Sequence, residues 1–236
     1  MNRNNSLFSN KSLNLEKFYP EEGFKNNVGL PKSMNEDLAF LLGALVSEGS
    51  FHNKQILFNN KDKVFYYKVK KAIQQQFKGV QIYERKVKGD CTELSIYEQK
   101  VVLFLKNIGF NEAKADGKEI PFSVLQSKKE ELQSFLVALF EGDGSILHKF
   151  DKRHGGENLL ISYYSKSEKL IKQIKIVLLN FGIVSNNPQL DKRNDCKKIT
   201  ITSFTNLKRF HEELGFFSEK KKNRLNHILS MNSSRM

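Results

Sequence analysis

The sequence predicts an α+β fold built from two pseudo-symmetric αββαββα repeats. Three observations carry this. The apolar run Leu41-Leu42-Gly43-Ala44-Leu45-Val46-Ser47-Glu48-Gly49 returns as Leu136-Val137-Ala138-Leu139-Phe140-Glu141-Gly142-Asp143-Gly144. Downstream of each copy the same elements follow in the same order: Asp90-Cys91 and Asp195-Cys196 open alternating segments, and Ile108-Gly109-Phe110 and Leu214-Gly215-Phe216 close helical ones. Between copies the apolar period switches from helical to alternating at matching places, as a repeated supersecondary unit requires.

The parts divide as follows. Residues 1–32 form an N-terminal arm rich in Asn, Lys and Ser, either poorly ordered or an extended strap tacked down by Leu13, Leu15, Phe18 and Tyr19. Residues 33–110 form the first repeat, 111–126 a connector, 127–218 the second repeat and 219–236 a basic tail with a short helix. Asn35 or Ser33 caps the first motif helix, Glu36 and Asp37 suit its positive end, and Gly49 stops it. Strands are expected at Ser50–His52 and Gln55–Asn59, a helix after Asp62, and a strand pair Val80–Val87 and Thr92–Tyr97. Ser127-Lys128-Lys129-Glu130 reads as a capping box that opens the second motif helix. The second half has gained a stretch at Lys149–Glu157. Glu141 is read as a helix-surface acid. Gly43 with Ser47, and Ala138 with Gly142, place small residues on one helix face, which suits two motif helices packed closely at the centre; a merely crowded core would use the same residues.

Composition narrows the function. The chain has 236 residues, 39 Lys+Arg against 26 Asp+Glu, and a net charge of +13. That balance points to a polyanion such as nucleic acid. Nothing approaches a membrane span, and no secretory leader is visible near the start, so an intracellular setting, cytoplasmic or organellar, is expected. Cys91 and Cys196 sit at matching repeat positions without zinc-site spacing.

Close packing of the motif helices would bring Glu48 and Asp143 together. Paired carboxylates repel unless a cation stands between them, and hard cations prefer such oxygens. With a basic surface this suggests metal-assisted phosphodiester hydrolysis. Two solvated helix ends would look the same in sequence, and the residues alone leave both readings open. The outward strand positions are polar or basic, so twisted two-stranded ribbons could enter a major groove, the sheets together forming a DNA-binding saddle. Candidate contacts are Gln81, Tyr83, Arg85, Lys86 and Lys88 in the first half, and Lys152, Arg153, His154, Lys192, Arg193, Lys198, Thr200 and Thr202 in the second. An ordinary solvated sheet face is the alternative.

The two nonapeptides resemble the paired motifs of the LAGLIDADG homing endonucleases, single-chain two-repeat type, and Glu119-Ile120-Pro121 resembles that family's lead-in to the second motif. The resemblance covers about residues 34–218. It implies a monomeric, site-specific enzyme that makes a metal-dependent double-strand break with 3′ overhangs in a long DNA target, in the manner of an intron- or intein-type mobile element. It implies Mg²⁺ or another divalent cation such as Mn²⁺, bound by the eighth motif residues Glu48 and Asp143 with the preceding carbonyls of Ser47 and Gly142. The first motif departs from the pattern, with Glu for Asp and Val46 at the sixth position. The resemblance also implies a basic residue near each scissile phosphate; Lys61 and Lys166 hold that place. An RNA-splicing maturase bound to intron RNA, or an inactive DNA-binding regulator of the same fold, are the alternatives.

Overall fold

The computed structural model describes residues 8–21, 23–24, 27–52, 54–89, 91–111, 115–151 and 156–233. The chain divides into two compact units, Met1–Glu112 with Ile120–Leu139 and Ala113–Glu119 with Phe140–Met236.

The first unit opens with a strap that packs. Leu15 is fully buried, its N–H donates to the Lys32 carbonyl at 2.8 Å, and Asn14 bridges to Ser33. Phe18 lies against Phe122 and Tyr19 against Phe104. Of the two expectations for the arm, the extended strap fits its described residues. Helix α1 (Glu36–Glu48) follows, capped by the Asn35 side chain, which accepts from the Leu38 N–H at 3.0 Å. Every residue from Leu38 to Ser47 is buried. Strands β1 (Gly49–His52) and β2 (Gln55–Asn60) lead to α2 (Lys63–Gln76), capped by Asp62. Then come β3 (Tyr83–Val87), β4 (Cys91–Ile96), α3 (Gln99–Asn107) and the short connector helix α4 (Phe122–Leu125). β3 starts three residues later than the apolar alternation suggests, because Phe77–Val80 makes a turn, with Gly79 at φ +84° and the Val80 N–H donating to Phe77.

Helix α5 (Lys129–Asp143) begins in the first unit and ends in the second. Its start differs from the expected box by one residue. Ser127 gives its hydroxyl to the Val124 carbonyl, and Glu131 rather than Glu130 accepts from the Lys128 N–H at 2.8 Å. The second unit continues with β5 (Gly144–Asp151), β6 (Gly156–Ser165), α6 (Glu168–Asn180, capped by Ser167), β7 (Gln189–Asp191), β8 (Cys196–Ile201), α7 (Phe204–Glu213) and α8 (Glu219–Ser233). The two sheets are antiparallel and have matching orders, β1-β2-β4-β3 and β5-β6-β8-β7. In each, one face packs its apolar residues under helices: Ile56, Phe58, Leu94 and Ile96 in the first, Ile161, Tyr163, Ile199 and Ile201 in the second. The repeat is thus αββαββα twice, and α8 is an addition to the second copy, longer than the short tail helix expected.

Candidate active site

The glycines of the motif helices show why the repeat uses them. A Cβ on Gly43 would lie 2.2 Å from the Phe135 carbonyl oxygen and 3.1 Å from Ala138 Cβ, so α1 and the first-unit part of α5 touch backbone to backbone. The ninth motif residue has a second task. A Cβ on Gly49 would meet the Leu45 carbonyl oxygen at 2.6 Å, and one on Gly144 would meet Phe140 oxygen at 2.3 Å. Only glycine lets the chain leave each helix straight into a strand here.

Each turn presents an acid. Glu48, half-buried, accepts from the Asn60 amide at 3.3 Å. Asp143 is exposed and accepts from the Tyr163 hydroxyl at 3.3 Å. The strand registers Gly49↔Phe58 and Gly144↔Tyr163 are equivalent, so the second repeat supplies its partner from the position where the first has a buried phenyl ring. In sequence, the exposed Lys61 directly follows Asn60, and the exposed Lys166 lies three residues past Tyr163.

Among the described residues, no group of three or more His, Cys, Asp and Glu side chains gathers as a metal site made of side chains alone would. The donors at each helix end are oxygens: one carboxylate and the last-turn carbonyls, which include those of Ser47 and Gly142. Such donors suit a hard divalent cation that completes its shell with water and phosphate oxygens, so the residues fit Mg²⁺ or Mn²⁺.

Glu141 is not the helix-surface acid that its polarity suggests. It is 6% exposed and accepts from the N–H groups of Phe217 (3.1 Å) and Ser218 (3.4 Å), ahead of α8. No local signal in the sequence points to this, because the partner lies in a distant tail.

The sheets place the expected nucleic-acid contacts unevenly. Tyr83 and Arg85 share the face opposite the helices, with Tyr83 against Tyr97 at 5.3 Å. Arg85 Nε donates to Glu93 at 2.5 Å, and this hydrogen bond to the carboxylate holds the guanidinium pKa above its ordinary value. Lys86 points to the other face, toward the helix layer, where Nζ donates to Thr92 Oγ1 at 2.9 Å; strand alternation removes it from the row of Tyr83 and Arg85. On that same face Glu84 accepts from Tyr66 at 2.5 Å and pairs with Lys70; the hydrogen bonds from Lys70 and Tyr66 lower the Glu84 pKa, while burial, and then the bond to Glu84, raise that of Tyr66. Gln81 and Lys88 are exposed in loop and turn. In the second unit, Thr200 is 8% exposed, covered by Asn186, whose amide donates to its hydroxyl at 2.9 Å; it is a packed residue rather than a surface contact. Lys192 and Thr202 are exposed and Lys198 half-buried. Arg193 forks onto Asp191 at 2.6 and 2.9 Å, and that hydrogen bonding lowers the Asp191 pKa to about 2. Lys152, Arg153 and His154 lie outside the described residues. No helix among the described residues is long and apolar enough to cross a membrane.

Comparison with known proteins shows what these features resemble. Residues 130–215 match the family model of the LAGLIDADG-like domain. The replication factor C small subunit of Methanocaldococcus jannaschii is 28% identical over 200 residues, 83% of this chain and 10% of that protein. A DNA gyrase subunit of Mycobacterium kansasii is 27% identical over 188 residues, 77% of this chain and 32% of that one. The chain thus spans a third or less of the length of these curated relatives. Among solved structures, the fold matches I-DmoI in complex with DNA and Ca (TM-score 0.57, 16% identity, 81% of this chain and 97% of that one). It matches the meganuclease I-SmaMI bound to uncleaveable DNA (TM-score 0.58, 13% identity, 88% and 92%). The N-terminal LAGLIDADG domain of DUF199/WhiA shares it too (TM-score 0.52, 15% identity, 78% and 84%).

Proposed function

We propose that this chain, a two-repeat protein with the LAGLIDADG homing endonuclease fold, is a metal-dependent endodeoxyribonuclease that makes a double-strand break with 3′ overhangs at a long DNA site. The observation that carries the reading is the pair of motif turns. Each ends a buried helix with a carboxylate, follows it with a glycine that no other residue can replace, and orients the carboxylate with a neutral donor, Asn60 or Tyr163. The fold alone does not carry it, since DUF199/WhiA has the same fold.

Glu48 with the Ser47 carbonyl, and Asp143 with the Gly142 carbonyl, would each offer oxygens to a divalent cation, which would supply an activated water and stabilise charge on phosphate oxygens. The chain's own groups do the rest. The Asn60 amide and the Tyr163 hydroxyl aim the two carboxylates. Lys61 and Lys166 stabilise the negative charge that grows on the scissile phosphates. Tyr83, Arg85, Arg193, Lys198 and their neighbours contact the duplex as one monomer. Arg85 and Arg193 are held splayed by Glu93 and Asp191 and can exchange these acids for phosphate oxygens or base edges.

The relatives support a mobile-element setting. A replication factor and a gyrase share no named task, yet each matches this chain over a similar segment that forms a minor part of its length. A module carried between unrelated hosts would give that pattern.

The test uses a duplex selected from a randomised pool by binding in EDTA. With Mg²⁺ added, the wild type cuts it, while Asp143→Asn and Glu48→Gln lose at least about 10³-fold in rate and keep their affinity. An Asp143→Asn variant that cuts at the wild-type rate sinks the site assignment. Binding without cutting by the wild type favours the regulator, and tight binding of structured intron RNA in place of DNA favours the maturase.

A further inference from the structure

The two motif turns differ in stiffness. In the first repeat the acid follows Ser47, whose hydroxyl donates to the Ala44 carbonyl at 3.0 Å and whose side chain is buried. In the second, Asp143 stands between two glycines, Gly142 and Gly144. Glycine on both sides leaves a backbone with many accessible conformations, so the carboxylate it carries needs fixing from outside.

That fixing is present. Lys221, in the first turn of α8, donates to the carbonyls of Phe140 (3.2 Å) and Glu141. Arg224, one turn further on, donates to the Ile146 carbonyl at 3.1 Å. The Glu141 carboxylate accepts from the two N–H groups ahead of the same helix, where the helix dipole favours an anion. Leu225 and Ile228 are fully buried and anchor α8 to its unit. The tethers therefore bracket Gly142–Ser145 on both sides, and they hold backbone rather than the acid itself. Position six of the first motif is Val46, 3% exposed and without a hydrogen-bonding side chain, so the clamp belongs to the second repeat alone.

We infer that α8 is a positioning element for Asp143, acting through Glu141 and Lys221. Both are positioning residues: neither meets DNA or metal, and each fixes the turn that carries the acid. The inference rests on the nuclease reading for its effect on cutting, but not for its effect on the turn.

Glu141→Gln and Lys221→Met are compared with wild type in the full chain. Amide hydrogen exchange is read at Gly142–Ile146 and at Ser47–Phe51, with β8 as the control for intact folding. The clamp predicts exchange about tenfold faster in the Gly142–Ile146 segment and unchanged elsewhere. On the duplex selected above, single-turnover cutting falls about tenfold at low Mg²⁺, affinity for that duplex stays the same, and raised Mg²⁺ restores most of the rate. Unchanged exchange in both variants overturns the proposal, as does a rate loss that Mg²⁺ leaves untouched. If Glu141→Gln also loses protection in β8, Lys221→Met decides, because it puts an apolar side chain of similar length where Lys221 Nζ lies over the Phe216 ring and buries no new charge. A wild type that never cuts defeats the nuclease reading, and the exchange result still decides the clamp.

Discussion

α1 carries Glu48 at the end of a helix buried from Leu38 to Ser47, whereas α5 carries Asp143 at the end of a helix whose last turn is gripped by hydrogen bonds from α8. Both copies of the motif bury apolar residues, and the second adds a polar clamp that the first lacks. The acids also take different partners, an amide from Asn60 and a phenol from Tyr163. The comparison teaches that a duplicated motif preserves its turn and its carboxylate, while each copy finds its own way to fix them.

Exchanging the sixth motif residues breaks the comparison most sharply. Val46→Glu puts a carboxylate at a position that is 3% exposed, and should destabilise the first unit by about 4 kcal/mol, seen as a large fall in the denaturation midpoint. A loss below about 1 kcal/mol would mean that the first repeat can accommodate the same clamp. Next comes Gly43→Ala. Its Cβ would overlap the Phe135 carbonyl oxygen, so α1 and α5 must separate, at a cost of about 2–3 kcal/mol in chemical denaturation. A neutral result would refute backbone contact at this crossing.

Tyr163→Phe sharpens the comparison at smaller scale. It gives the second repeat the residue type found at Phe58 and removes one hydrogen bond from Asp143. Cutting should slow about fivefold, with the midpoint nearly unchanged. A rate equal to wild type would make the phenol a packing group only. The mildest effect is on pH. Asp191 has its pKa lowered to about 2 by Arg193, so the pair adds stability above the ordinary Asp value near 4, and loses it as pH falls toward 2. Thermal unfolding of Arg193→Gln and wild type should therefore converge below about pH 2 and differ at pH 6. A constant difference across that range would show that Arg193 stabilises by other means.

Much of the fold was legible because its signals are local. Asn35, Asp62 and Ser167 cap helices through side chains three residues from their partners, and Gly49 and Gly144 mark helix exits that sterics enforce. The acids could be singled out because they recur at one motif position. Features that depend on distant chain were hidden. Glu141 reads as a surface acid until Phe217 and Ser218 are brought to it, and Leu15 gains its burial from a strap whose own sequence is polar. Lys86 and Thr200 are placed otherwise than their polarity alone suggests, for a different reason. Charge and polarity suggest contact with nucleic acid, but strand alternation turns Lys86 to the helix side, and Asn186 covers Thr200.

The most direct measurement is to incubate the full chain with a randomised duplex library in Mg²⁺, with EDTA as the control, and to sequence the broken ends. The account predicts metal-dependent ends at one long site, with 3′ overhangs on both sides of the break. Ends that appear equally in EDTA, or no ends at all while one duplex is enriched by binding, would contradict it.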